Sequence, residues 1–151
     1  MGIDRHTAAF LGHLRGARNY SVHTVSSYED DLVRFAAFLR ESNPRAAGDL
    51  ALVDRTTLRR FLHALVGEGF ARRSVARKVA CLRSFFAWLH RRGAIPANPA
   101  VTLLSPKLDR RLPTVLDGGE VARLMEQPDR STALGLRDAA ILEVLYGTGI
   151  R

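Results

Sequence analysis

The chain is 151 residues long and 46% hydrophobic, with few glycine or proline tracts, which excludes a disordered or fibrous protein. No apolar run approaches the roughly 20 residues that span a bilayer, no amino-terminal apolar core marks a signal peptide, and the single Cys81 excludes a disulfide framework or a thiolate metal cluster. The net charge of +8 is segregated: residues 1–112 hold 19 Lys+Arg against 9 Asp+Glu, and residues 113–151 hold 4 against 6.

That asymmetry points to a polyanion-binding module joined to something else. Lys78 and Lys107 are the only lysines. Arginine suits bidentate phosphate contacts. A GC-rich genome would also favour arginine, but it would not produce the asymmetry. A cytoplasmic location is expected.

In chain order, a helix is expected over residues 4–18, with Phe10, Leu11 and Leu14 on one side. A second spans 21–41, where Val25, Tyr28, Leu32, Phe35 and Leu39 step by three and four. Asn43-Pro44 breaks it. A third covers 56–66, carrying Leu58, Phe61, Leu62 and Leu65, and Gly67 and Gly69 close it. The fourth, over 71–92, is the most regular, with Val75, Val79, Leu82, Phe86 and Leu89 on one face. Its opposite face collects Arg73, Arg77, Ala80 and Ser84, flanked by Lys78 and Arg83. Two arginines among small side chains let a helix lie close to a phosphate backbone or enter a major groove; a merely solvated face is the alternative. Cys81 reads as a small buried hydrophobe, and Asp30-Asp31 as solvated surface, since neighbours one apart on a helix do not face each other.

From Gly93 to Pro113 the periodicity dissolves around Pro96, Pro99, Pro106 and Pro113, which predicts an extended, positively charged linker. Asp117-Gly-Gly-Glu120 resembles a helix start, and Pro128 ends that short helix. A last apolar helix over 133–146 carries Leu136, Ala140, Ile141, Val144 and Leu145. Residues 113–151 are too few to build a core, so the chain is expected to be cut inside a domain. The division is 1–92, a helical domain; 93–115, a linker; and 116–151, the start of a second domain.

Other chemistry finds no support. His6, His13, His23, His63 and His90 are scattered without ligand spacing, so no metal site is expected and surface or interfacial positions are. Gly147-Thr-Gly149 lacks the Gly-Lys-Ser/Thr ending of a phosphate loop, and no Gly-x-Ser-x-Gly elbow occurs.

Several stretches resemble one family. Cys81-Leu-Arg-Ser-Phe-Phe-Ala-Trp-Leu-His90, Ala97-Asn-Pro-Ala100, Ser105-Pro-Lys107 and Arg111-Leu-Pro113 are similar to the core-binding domain and linker of tyrosine recombinases of the Xer type. Leu136-Arg-Asp-Ala-Ala-Ile-Leu-Glu-Val-Leu-Tyr-Gly-Thr-Gly-Ile-Arg151 resembles the opening of their catalytic domain. Phe10-Leu11, Arg18, Ser21, Thr24, Tyr28, Asp31-Leu32 and Phe38-Leu39 follow the amino-terminal pattern.

The resemblance implies an all-α architecture: a four-helix, SAM-like core-binding domain, a linker, and two helices of a truncated catalytic domain. It implies double-stranded DNA and other recombinase protomers in a synaptic tetramer as partners, and no cofactor. A tyrosine attacks the scissile phosphate to leave a 3′-phosphotyrosine, while arginines and a histidine neutralise the non-bridging oxygens. Arg151 stands at the family's first catalytic arginine. The lysine hairpin, the His-x-x-Arg motif, the further histidine and the nucleophile would lie downstream, so this chain alone is expected to bind DNA without cleaving it. Tyr20 and Tyr28 belong to the first domain, and Tyr146 is expected in a core. The family's second and fourth helices face DNA, which nominates Thr24, Ser27, Arg73, Ser74, Arg77 and Lys78, with Lys107 in the linker.

Rival readings are a stand-alone DNA-binding regulator, a helical protein-interaction module with an incidental basic face, and a phage or integron integrase. The uncovered last helix weighs against the first, and the segregated charge against the second. The absence of a separate arm-binding domain before residue 4 weighs against the third.

Overall fold

The computed structural model describes residues 2–16, 20–107 and 115–150. Arg18, Arg111-Leu-Pro113 and Arg151 lie outside them. The described residues form seven α-helices and one 3-10 turn, with no strand among them. The chain divides into two compact units, residues 1–109 and 110–151.

In the first unit, α1 is Ile3–Gly16 and α2 is Val22–Ser42. Ser21 caps α2: its hydroxyl accepts from the Thr24 amide at 3.2 Å, replacing a bond the first turn cannot make internally. Asn43 closes α2 by donating its amide to Leu39 and opens α3 (Pro44–Gly48) by accepting from the Ala46 amide at 3.2 Å. Pro44 sits where a missing N–H costs nothing. The proline therefore starts a helix rather than a loop. A 3-10 turn over Leu50–Leu52 follows.

Asp54 caps α4 (Arg55–Gly67), accepting from the amide and the hydroxyl of Thr57, both at 2.7 Å. Gly69, at φ +81°, turns the chain into α5 (Arg72–Arg91). The Thr57 hydroxyl, and after it the Thr57 amide, holds the Asp54 carboxyl below the usual aspartate range. A lowered folded-state value means the stabilisation is present above the ordinary aspartate value and is lost as pH falls through the lowered one. Asp54→Ala is expected to cost about 1 kcal/mol at neutral pH. Thermal melts should show the Asp54→Ala deficit shrinking in acid; a deficit unchanged by acid would refute the charged cap.

The core explains the periodicity. Phe10 meets Phe85 edge-on at 5.4 Å and Trp88 at 5.5 Å, joining α1 to α5. Phe35 meets Phe61 at 5.1 Å and Phe86 at 6.0 Å, joining α2 to α4 and α5. All of these rings are buried. Offset and edge-on geometry suits the ring quadrupole. At the periphery, Arg40 Nη2 donates to both carboxylate oxygens of Asp4, at 2.6 and 2.7 Å, and Arg34 donates to Glu68 at 2.7 Å.

Part of the segment expected as an extended linker, 93–115, packs into the first unit's core. Ile95, Ala100 and Leu103 are buried in the first unit's core, and Arg83 Nη2 donates to the Leu103 carbonyl. Proline spacing signals irregular backbone, but it does not reveal that three apolar side chains in that backbone return to the core.

In the second unit, α6 is Gly118–Glu126 and α7 is Ala133–Thr148. The expected helix start is a full capping box: the Glu120 amide donates to Asp117 at 2.8 Å and the Asp117 amide to Glu120 at 2.9 Å. Gly135 lies against the Asp129 backbone, where an added Cβ would fall 1.9 Å from its carbonyl oxygen. Among the described residues of the two helices, only Gly135 and Ala139 are buried. Leu134, Leu136, Ile141, Val144 and Leu145 are exposed, and Tyr146, expected in a core, is 70% exposed. No described helix is long and apolar enough to cross a membrane.

Candidate nucleic-acid interface

The nominated residues fall on α2, α5 and the segment after Leu103. Arg73, Arg77 and Ala80 are exposed along α5, and Ser84 is half-buried, so the face opposite Val75, Val79, Leu82 and Phe86 is the open one. Thr24 and Ser27, one turn apart on α2, are half-buried. The Thr24 hydroxyl lies 2.9 Å from that of Ser21. Ser74 is half-buried, and Lys107 is exposed.

α2 and α5 are tied together at Arg77. Its Nη1 donates to the Ser27 carbonyl at 2.8 Å and to Asp31 Oδ2 at 2.7 Å. This crossing joins Ser27 to Arg77 directly. Thr24 and Arg73 each lie a turn away on their own helices. Among the described residues no ion pair or side-chain hydrogen bond joins Lys107 to this set.

Two expectations need correction here. Lys78 is buried, only 4% exposed, rather than flanking the open face. Its Nζ donates to Asp31 Oδ1 at 2.5 Å and lies 5.2 Å from the Phe70 ring centroid. Asp31 is 2% exposed rather than solvated. An isolated charge would be prohibitively costly in such a place, and each of these two is tolerable only because the other is present. Lys78 therefore has no open surface to offer a ligand.

The sequence carried a signal for both. Asp31 lies next to Leu32 and four residues before Phe35, and Lys78 is three after Val75 and next to Val79. A charge that falls on the apolar rhythm of a helix needs a partner across the interface.

Burial acts on two neighbouring groups of this region. It pushes the Tyr28 hydroxyl and the Cys81 thiol up, the latter also facing the Asp31 carboxylate. Cys81 is fully buried and inert, as expected of a small core residue. His6 is buried, and burial lowers its value. Among the described residues no group of three His, Cys, Asp or Glu side chains could hold a metal ion.

Residues 8–93, more than half of the chain, match the family model for the phage integrase N-terminal SAM-like domain. The chain belongs to the phage integrase family of tyrosine recombinases. The recombinase-family match extends through the second unit in its curated relatives. Tyrosine recombinase XerC of Pelobacter propionicus is 43% identical over 146 residues, covering 95% of this chain and 47% of that protein. XerC of Oceanobacillus iheyensis is 40% identical over 149 residues, covering 99% and 48%. XerC of Xanthomonas campestris pv. campestris (strain B100) is 40% identical over 142 residues, covering 94% and 43%. The chain thus spans about half the length of the curated relatives it matches.

Proposed function

We propose that this chain is the DNA-clamping amino-terminal part of a site-specific tyrosine recombinase acting in the cytoplasm. The observation that carries the reading is the open arginine face of α5, held against α2 at Ser27. Arg73 and Arg77 stand one turn apart on a rigid helix, with small neighbours that let a phosphate backbone approach. Lys107 adds a third cation on the following segment. Thr24, Ser27 and Ser74 supply hydroxyls for phosphate or base edges.

In the parent enzyme, Arg151 is proposed as one clamp on the scissile phosphate, its planar fork suited to two non-bridging oxygens. The attacking tyrosine and its other helpers would come from beyond this sequence, so the chain alone binds DNA without cutting it. The apolar, open surface of α7 suits a helix that sits inside a larger catalytic domain. Other protomers of a recombination synapse are the proposed protein partners.

The test is a duplex-DNA titration by fluorescence anisotropy at stepped salt. Three phosphate contacts, at Arg73, Arg77 and Lys107, predict that affinity falls about 40-fold between 50 and 200 mM salt. Arg73→Gln should flatten the logarithmic salt slope by about 1. Absence of binding at low salt, or binding indifferent to salt, would overturn the reading.

A further inference from the structure

Arg77 is held from behind. Its Nη1 is committed to the Ser27 carbonyl and to Asp31, while its other three N–H groups have no acceptor among the described residues. Its side chain is 41% exposed, against 2% for Asp31 and 6% for Lys78. One carboxylate is therefore shared between an interior cation and a surface cation. The three charges leave one net positive charge at the crossing of α2 and α5, so the pairing does not neutralise the open face.

We propose that Asp31, anchored by the buried Lys78, is a positioning residue that aims the Arg77 guanidinium at a DNA phosphate. This inference deepens the DNA-binding reading above and rests on it. A free surface arginine must give up its rotamer freedom to clamp a phosphate. Arg77 has already given it up on folding, and the forked guanidinium can hold an interior anchor with one edge and an anion with the other. The anchor cannot drift, because Lys78 fixes the second carboxylate oxygen and the Phe70 ring lies beside the ammonium. Arg73, one turn away, lacks such a tether among the described residues. The two arginines of one face thus differ in how far they are pre-organised.

The test uses the full chain, duplex DNA and anisotropy at stepped salt, with circular dichroism to check folding. The double variant Asp31→Leu/Lys78→Met removes the tether without changing net charge. It is expected to weaken binding about fivefold, the effect of having to order an untethered Arg77 on binding, with the logarithmic salt slope nearly unchanged because Arg77 keeps its charge. Arg77→Gln should weaken binding about eightfold at 0.1 M salt and flatten the slope by about 1, and the triple variant should match Arg77→Gln, because without Arg77 the tether has nothing to position. A folded double variant that binds like wild type, or losses that simply add, would overturn the proposal.

Arg77→Lys gives an independent arm should the double variant not fold. It keeps the charge, yet one ammonium cannot span the anchor and a phosphate, so affinity should fall as in Arg77→Gln. Wild-type affinity for Arg77→Lys would overturn positioning. A wild-type chain that fails to bind DNA would overturn the function proposed above and this inference with it, whereas normal wild-type binding with indifferent variants would overturn this inference alone.

Discussion

Asp31→Ala is expected to remove a large share of the helical domain's stability. The substitution leaves the Lys78 ammonium, 4% exposed, without its counter-charge. Breaking a buried pair from one side costs about 3–5 kcal/mol, set against a total of roughly 5–15 kcal/mol for a domain of ordinary stability. The carboxylate also accepts from Arg77 at 2.7 Å, so the α2–α5 crossing loses two bonds at once. Urea unfolding followed by circular dichroism measures the loss. Replacing both members by apolar residues of similar volume should restore most of it, since no charge then remains to be solvated. A loss below about 1 kcal/mol for Asp31→Ala would show that water reaches Lys78 and that the pair is not sealed.

Phe35→Ala is expected to cost about 3–5 kcal/mol. Phe35 is fully buried and touches rings from two other helices, Phe61 on α4 and Phe86 on α5. Truncation leaves a void that neither neighbour can fill without giving up its own packing. Val33, on the same helix and 60% exposed, provides the control: Val33→Ala should stay within about 0.5 kcal/mol of wild type. Equal losses for the two variants would refute the central place given to Phe35.

Elements with a sustained apolar stripe were legible from sequence. The stripes of α2 and α5 run for five or six turns, and their faces follow from spacing alone. Asp117 with Glu120 marked a helix start because both halves of a capping box are local. What escaped was either short or tertiary. A five-residue helix such as α3 has too few positions to show a period, and Pro44 reads equally as a break or as a first turn. Ile95, Ala100 and Leu103 look like linker residues until the fold brings them back to the core.

Spacing alone gives the open arginine face of α5, but Lys78 lies one step around the helix from the place its charge suggests. Its identity argued for solvent, whereas its spacing argued for the core. Spacing won because Asp31, 47 residues earlier, supplies the opposite charge. The burial of each residue shows in its own helix, but which residue is its partner does not. Arg151 lies outside the described residues, and the role proposed for it comes from the family pattern.

The sealed state of Lys78 has a practical side. With one of the chain's two lysines locked inside an ion pair, the other, Lys107, is exposed. Amine-directed acylation of the folded protein therefore has one lysine to find, on the segment that follows the helical domain. The fold itself thus lets an amine-directed reagent tell one lysine from the other, with no engineered cysteine and no tag.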